Sequence, residues 1–526
     1  MPSFSPYIKH IFGGGWATDF GPSTSAAPDP TGMLAVPFLT QAENVLYELD
    51  GGPHKSPGTA NMNSSALNSG ASIRGLYDFW RMGTAGSPSQ RRIAVAGNTI
   101  YADNADGTFS SIGTGFQTTA VWSFATFDDF LIIANDASAD VPRSWDGTTF
   151  QNLAGSPPNF AFSVKHQNYH FASGVIANPS TLYYSSSLDP ETWSGGTSGS
   201  IQIDPDDGDR ITGIISHKNE LWVFKGPHKG SIHRITGTSN STWARETFVE
   251  GVGAAAHNSI FRYGDDIAFM WIDGSVRTLS TTAAFGDMIE SALTYPIHSW
   301  LQEHLTFNQL HRVITTNDPG SGRAYIAIPT NSSTVNDALI VLDYRFSPVR
   351  ISYLSAYDVV SIAPVLDAAS SLRPILMFGG SDGFVRRFNQ STRTTAGAGI
   401  AARVDTPYLD YGASHQMKTL TAASVGIAPK NNASFTVGWT RDDNAEQTMS
   451  VAQEGSDVLG TASANQFTLN TSTLGGARFV DKWFETEEGG EFRSVAYSFR
   501  DANNNTDLEI HSFGAFMEPG AESTEN

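Results

Sequence analysis

Apolar runs in the middle of the chain enter tight polar corners, and a second apolar run leaves each one. The corners are Asn98-Thr99, Asp128-Asp129, Gln167-Asn168, Asn219-Glu220 and Asp265-Asp266, with weaker ones near Asp318 and Asp367. The returning runs include Phe130-Leu131-Ile132-Ile133, Leu221-Trp222-Val223-Phe224 and Ile267-Ala268-Phe269-Met270. Successive corners lie 30, 39, 52 and 46 residues apart. A four-stranded propeller blade takes roughly 40–50 residues, so the repeat predicts a β-propeller. Asp106-Gly107, Asp146-Gly147, Asp273-Gly274 and Asp382-Gly383 supply the positive φ that two-residue hairpins need, and they read as outer hairpins of the same blades. The expectation is an all-β protein with an irregular propeller of six or seven blades over residues 71–395.

The flanks break this rhythm. Residues 1–70 are rich in Gly, Pro, Ser and Asn, with one clear strand at 45–49. Alone they cannot bury a core, so an extended segment packed on other domains is expected. Helical spacing of Met288, Ile289, Ala292 and Leu293 after a candidate N-cap, Asp287, stops at Pro296 and resumes with Ile297, Trp300 and Leu301. That predicts a kinked helical insertion near 287–305, its apolar stripe on the propeller. Strand-like runs at 424–427, 434–439, 492–499 and 508–513 predict a C-terminal β-sandwich over 396–518, then a fraying polar tail over 519–526.

Composition narrows the function. At 526 residues the chain can hold two or three cores. Acidic residues number 52 against 32 basic, a formal charge of −20, which argues against a tight grip on nucleic acid, since that relies on Lys and Arg displacing counterions. Cysteine is absent, which excludes disulfides, thiolate metal sites and cysteine nucleophiles. No stretch has the length of a signal peptide or membrane span, so synthesis in the cytoplasm is expected.

The motifs encode turns and strands rather than chemistry. Gly14-Gly15-Trp16-Ala17-Thr18-Asp19 is followed by 43–52, with Asn44-Val45-Leu46-Tyr47, and by Lys55-Ser56-Pro57-Gly58-Thr59. Later come Thr181-Leu182-Tyr183-Tyr184-Ser185, Asp207-Gly208-Asp209-Arg210-Ile211 leading into 221–225, and Thr406-Pro407-Tyr408-Leu409-Asp410-Tyr411 before Lys418-Thr419-Leu420. In this order the segments resemble the tail nozzle proteins (tail tubular proteins B) and tail-hub proteins of short-tailed bacteriophages. One departure is the corner at His54-Lys55-Ser56-Pro57, with one basic residue where the pattern often has two. The resemblance implies a structural virion protein, not an enzyme and without a cofactor. It implies a homo-oligomeric ring, usually a hexamer, at the distal end of the tail, in contact with an adaptor ring and with tail fibres or spikes. Double-stranded DNA would pass through its channel during ejection. A DNA conduit should repel phosphates, and repulsion acts within a Debye length of about 8 Å at physiological salt. Two acidic loops are candidates for its wall: Asp204, Asp206, Asp207 and Asp209, and Glu485, Glu487, Glu488 and Glu491. Solvated hairpin tips are the plainer reading of each.

Catalytic and metal patterns are weak. Gly379-Gly380-Ser381-Asp382-Gly383 matches a nucleophile-elbow string but lies between two strand-like runs, as a hairpin would. The stretch 144–150 resembles the Asp-box turn of sialidase propellers, one residue short. Asp204 to Asp209 is oxygen-rich without the spacing of a calcium loop. His166 and His170 would share a strand face, with no third ligand evident. The rival reading is a carbohydrate-binding or glycoside-cleaving propeller, with Trp122, Trp145, Trp193 and Trp222 as sugar platforms.

Overall fold

In the computed structural model the polar corners are hairpin turns, with the left-handed residues such turns require at the corner or just before it, as at Gly97 and Gly264. Asp128 and Asp129 have φ of 49° and 61°, and Lys218 and Asn219 have 49° and 63°. The four Asp-Gly glycines lie at φ of 76° to 92°. Each preceding aspartate accepts a backbone N–H two residues on: Thr108 at 2.9 Å, Thr148 at 2.8 Å, Ser275 at 2.9 Å and Phe384 at 3.2 Å. The described residues are 7–21, 23–24, 27–28, 34–82, 88–318, 320–367, 373–411, 413–428, 434–442, 444–453, 480–485, 491–503 and 506–522. They divide into two compact units, 61–340 with 357–388, and 1–60 with 341–356 and 389–526.

The larger unit is a seven-bladed β-propeller. Its innermost strands are Ile73–Arg81, Trp122–Phe127, Phe162–His166, Arg210–His217, Ile260–Tyr263, Ile314–Asp318 and Ser361–Asp367. Each packs against the next, and the last packs against the first. Blades 1 to 4 have four strands in meander order, and blade 5 has three. The short first step has a geometric cause. Gly97 and Asn98 join the second and third strands of blade 1, whereas the later corners join first and second strands.

Cores form between neighbouring blades. Phe79, Ile93 and Val95 of blade 1 meet Leu131, Ile133 and Trp145 of blade 2. Phe171 and Leu182 of blade 3 meet Ile214, Leu221 and Val223 of blade 4. Burial of each such side chain is worth about 1.5–3 kcal/mol. The seam between blades 7 and 1 is sealed by chain preceding blade 1. Leu67 packs among Ile73, Leu76, Val365, Met377 and Val385. The Leu67 N–H donates to the Gly383 carbonyl at 2.9 Å and the Ile73 N–H to Gly380 at 2.9 Å. The Asn63 side chain accepts the Val385 N–H at 2.8 Å and donates to the Gly383 carbonyl at 3.0 Å.

The helical insertion starts earlier than its periodicity predicted. Helix α1, Leu279–Phe285, is capped by Thr278, whose hydroxyl accepts the Thr281 N–H. Gly286, at φ 64°, ends it. Asp287 is therefore past a helix rather than at its N-cap, and Met288 and Ile289 are exposed. Short 3₁₀ turns at Ile289–Ser291 and Tyr295–Ile297 lead into α2, His298–His304, with Ile297 and Leu301 fully buried. Pro296 sits in the turn before α2, where its missing N–H costs nothing.

The smaller unit is a β-sandwich, and residues 1–60 supply strands to it. Tyr7–Phe12 pairs antiparallel with Ile510–Glu522, which pairs in turn with Gln416–Ile427. In the second sheet Gln41–Glu43 lies beside Ala402–Asp405, and Val495–Asp501 pairs with Ser434–Arg441. Between the sheets Phe513 meets Phe12 at 5.6 Å, Phe499 at 5.7 Å and Tyr497 at 5.2 Å between ring centroids. Residues 341–356 also fall in this unit, with Tyr353 paired to Glu43. The last strand continues through Glu522 instead of fraying from 519, and 523–526 lie outside the described residues.

Buried polar pins fix the N-terminal strands. Arg350 donates to the carbonyls of Gly51 at 2.6 Å and of Phe12 and Gly13 at 3.1 Å. Lys55, fully buried, donates to Asp501 at 3.2 Å and to the Asn503 carbonyl at 2.9 Å.

The latch at Asn63 generates a prediction for propeller stability. Asn63→Ala orphans the Val385 N–H and should cost about 1–3 kcal/mol. Asn104→Ala, in an exposed outer hairpin, should stay within about 0.5 kcal/mol of the unmodified protein. Urea unfolding followed by tryptophan fluorescence checks both; equal effects would remove the special role of the latch.

Candidate functional site

The acidic stretch 204–209 joins the last strand of blade 3, Gly199–Gln202, to the inner strand of blade 4. It is organised by a fully buried lysine on the second strand of blade 4. The Lys225 ammonium donates to the carbonyls of Ile203 at 2.8 Å and Asp204 at 2.7 Å, and to the Asp207 carboxylate at 2.6 Å. The cation that this oxygen-rich loop could hold is thus the chain's own ammonium. Burial works to raise the Asp207 carboxyl, but the Lys225 hydrogen bond, the Asp209 N–H and the Lys225 charge hold it below its ordinary value. Asp209 is buried and accepts the N–H groups of His228, Lys229 and Gly230 at 2.7, 2.9 and 2.8 Å. Asp204 pairs with Arg245 and faces His233 at 3.6 Å. Asp206 is exposed. In the smaller unit Glu485 ends the strand Val480–Glu485 and Glu491 is exposed, while Glu487 and Glu488 lie outside the described residues. The two acidic stretches belong to different units, and within the first one Asp207 and Asp209 are structural.

The other sequence candidates resolve into packing. His166 and His170 do not share a strand, because the turn at Gln167-Asn168 separates them. His166 contacts the Ser216 hydroxyl at 2.8 Å, and His170 packs among Phe127, Phe160 and Trp193. Ser381 lies in a hairpin and donates to Asp358 at 3.1 Å. Asp146 organises the turn from Arg143–Trp145 to Phe150–Asn152. Trp122, Trp145 and Trp222 are buried between blades, and Trp193 is partly buried with its indole N–H on the Pro190 carbonyl at 2.9 Å. These indoles pack in the cores between blades, and Trp122 also borders open space.

Open space collects where the inner strands begin. A cavity of about 290 Å³ is bounded by Trp122, Phe162, Ile176, Arg210, His257 and His311. Trp122, Ser123, His257 and Asn258 also border an axial cavity of about 310 Å³, lined by inner strands of all seven blades. Arg74 is common to that axial cavity and to a small void of about 20 Å³ beside Arg312. The His257 ring stacks on Phe162 at 4.7 Å, and burial pushes it down to about 4. Burial first, then the charge of Arg312, lowers His311, with Asp136 opposing. Sequence reading missed this group because its members come one or two per blade, far apart in the chain. The available signal was an arginine at the start of an inner strand, as with Arg74 and Arg210.

No family model and no curated protein matches the sequence. Among solved structures the chain is similar to "YCF48 bound to D1 peptide", with TM-score 0.36 and 10% identity over 64% of this chain and 97% of that one. It is similar to the N-terminal domain of Nup159, with TM-score 0.35 and 10% identity over 67% and 100%. An exo-β-1,3-galactanase from Phanerochaete chrysosporium gives TM-score 0.26 and 9% identity over 97% and 100%. At these values the likenesses carry no statement about activity. Asp136 borders the cavity of about 290 Å³, and Asp206 and Asp209 border a fourth of about 540 Å³ beside Arg210.

The buried histidines set a pH dependence. Burial lowers His166 to about 4, His170 to about 3, and His233 and His257 to about 4, so all four are neutral in the folded propeller at neutral pH. Below about pH 6.5 the unfolded chain binds protons that the folded one refuses, so propeller stability falls as pH drops from 6.5 toward 4. In the sandwich, burial opposes protonation of His511, but Asp50 and Glu509 raise it to about 9, so its contribution is full below 6.5 and lost as pH rises through 9. Thermal melts across pH 4–9, with histidine ring NMR titrations, should show acid destabilisation of the propeller with His170 and His257 still neutral at pH 5. A melting temperature flat from pH 7 to 4.5 contradicts this assignment.

Proposed function

We propose that the chain is a structural subunit of a short-tailed phage tail, forming with identical copies the ring through which double-stranded DNA leaves. The observation that carries this reading is the fate of the motif residues. Their segments at 14–19, 43–52, 55–59, 406–411 and 418–420 fall in the smaller unit and serve its assembly, while those at 181–185, 207–211 and 221–225 form strands and a turn of the propeller. Trp16 packs on Tyr353 at 5.9 Å, and the Asn44 side chain donates to the Ala401 carbonyl at 2.8 Å while accepting the Ser355 N–H at 2.9 Å. Lys55, the single basic residue of its corner, is spent on Asp501 and is not available to DNA or a partner. Lys418 donates to the carbonyls of Ala413, Gln416 and Arg493. Motifs kept for architecture rather than chemistry suit a protein whose work is mechanical.

The reading also places the conduit. The propeller axis is filled by its inner strands, leaving about 310 Å³, far too little for a duplex. DNA would pass among copies, along walls to which Asp206 is free to contribute, while the virion tail is the proposed location and an adaptor ring and fibres the proposed neighbours. Mass photometry and negative-stain images of the purified chain test this against the carbohydrate reading. Closed rings with a central opening are expected, with no glycan retained on an array. A monomer that binds or cleaves glycans would reverse the assignment.

A further inference from the structure

Trp122 and Ser123 open the inner strand of blade 2. Both are buried, at 3% and 5% exposure, and both border the cavity of about 290 Å³. The Trp122 indole N–H and the Ser123 hydroxyl have no hydrogen-bond partner among the described residues. By contrast the Ser361 hydroxyl, at the start of the inner strand of blade 7, donates to the Ile73 carbonyl at 2.6 Å. A buried donor left unpaired is costly, and an acceptor brought to it relieves that cost.

Beside these donors stands an apolar wall. The Phe162 ring is stacked on His257 at 4.7 Å. Gly174, at φ 81°, lets the chain pass close to that ring, since a Cβ there would stand 2.7 Å from the Ala161 Cβ and 2.9 Å from Phe162. Val175 continues the wall, and Ile176, 71% exposed, stands at the rim. Charge cancels around this space. Exposed Arg210 and exposed Asp136 contribute one charge of each sign, and His257 and His311, both lowered by burial, are neutral at neutral pH. An ionised ligand would therefore enter without a net counter-charge. A dry cavity of about 150 Å³ already takes benzene, so the volume of about 290 Å³ admits one ring and a short substituent.

We propose that this pocket binds an uncharged aromatic molecule of one ring, a phenol or an aromatic amide, whose ring lies against Phe162 and Ile176 and whose oxygen accepts from the Trp122 indole or the Ser123 hydroxyl. Ring-on-ring contact adds to the gain from burying the apolar body, and the oxygen supplies the acceptor that the wall lacks. The site requires neither the viral reading nor the carbohydrate one. A monosaccharide is also uncharged and of one ring, and the experiment separates it.

Titration calorimetry on the full chain with phenol and benzamide, set against benzoate, benzylamine and glucose, tests the site. At least one of the two neutral aromatic probes should bind saturably below about 10 mM, and about fivefold or more tightly than each of the other three. That binding should shift the ring NMR signals of His257, which stacks on Phe162, and leave those of His511 in the smaller unit in place. Ile176→Asp puts a charge at the apolar rim and should weaken binding by about fivefold or more. Its exposure lets that variant fold, so the test stands whatever buried substitutions do. At least one of Ser123→Ala and Trp122→Phe should weaken binding by about threefold or more, as loss of one hydrogen bond does. The proposal is overturned if neither neutral probe binds saturably, if benzoate, benzylamine or glucose binds as tightly, if the His257 signals stay in place, or if Ile176→Asp leaves binding unchanged. Loss of less than threefold in both Ser123→Ala and Trp122→Phe overturns it as well.

Discussion

A ring of blades must join its last member to its first, and everything the propeller offers follows from that closure. Here the seam is made by chain from outside the blade repeat. The segment before blade 1 lays Leu67 into the apolar gap and hydrogen-bonds through Asn63 and the Leu67 N–H to blade 7, while the Ser361 hydroxyl donates to the Ile73 carbonyl at 2.6 Å. Asp78 of blade 1 accepts the Leu366 N–H of blade 7 at 3.0 Å. With the seam held, the inner strands converge, and the starts of those strands are brought around one small opening. The pocket bordered by Arg210 and His311 is thus a product of closure, since no single blade contains it.

Charge is handled in the same spirit throughout the molecule. In the sandwich, buried Lys55, Arg350 and Lys418 are each surrounded by carbonyls or a carboxylate, and they tie strands distant in sequence. In the propeller, Lys225 converts an acidic loop into a folded knot. A buried cation with one acceptor removed costs about 3–5 kcal/mol, so these sites constrain the sequence strongly. Half-buried Arg74, at the axial cavity, has no such acceptor among the described residues.

The repeat was legible because each blade must place positive-φ residues at its turns, and Asp-Gly, Asp-Asp and Lys-Asn pairs mark them. Blade number was harder to read, since the first corner belongs to a different strand pair from the rest. The helical insertion was displaced because Thr278 caps a helix whose residues, Thr281 to Phe285, lack an apolar stripe, while the stripe at 288–293 is spread over turns. The role of residues 1–60 and 341–356 in the sandwich was hidden, because strand partners 300 or more positions apart leave no local pattern, as with the Asn44 contact to Ser355 across 311 positions. Among site residues, the acidic loop was visible as composition, but its neutralisation by Lys225 was not. The cavity bordered by Arg210, His257 and His311 was invisible for the same reason of distance.

Native-state hydrogen exchange on the amides of Met62, Leu67, Ile73 and Val385 tests the closure most directly. These four N–H groups bridge the latch and the last blade. The account predicts that they exchange only through global opening of the propeller, with protection within about tenfold of Val223 in the middle of blade 4. Exchange faster by several orders of magnitude would mean an unlatched ring that opens at the seam, and would contradict the account.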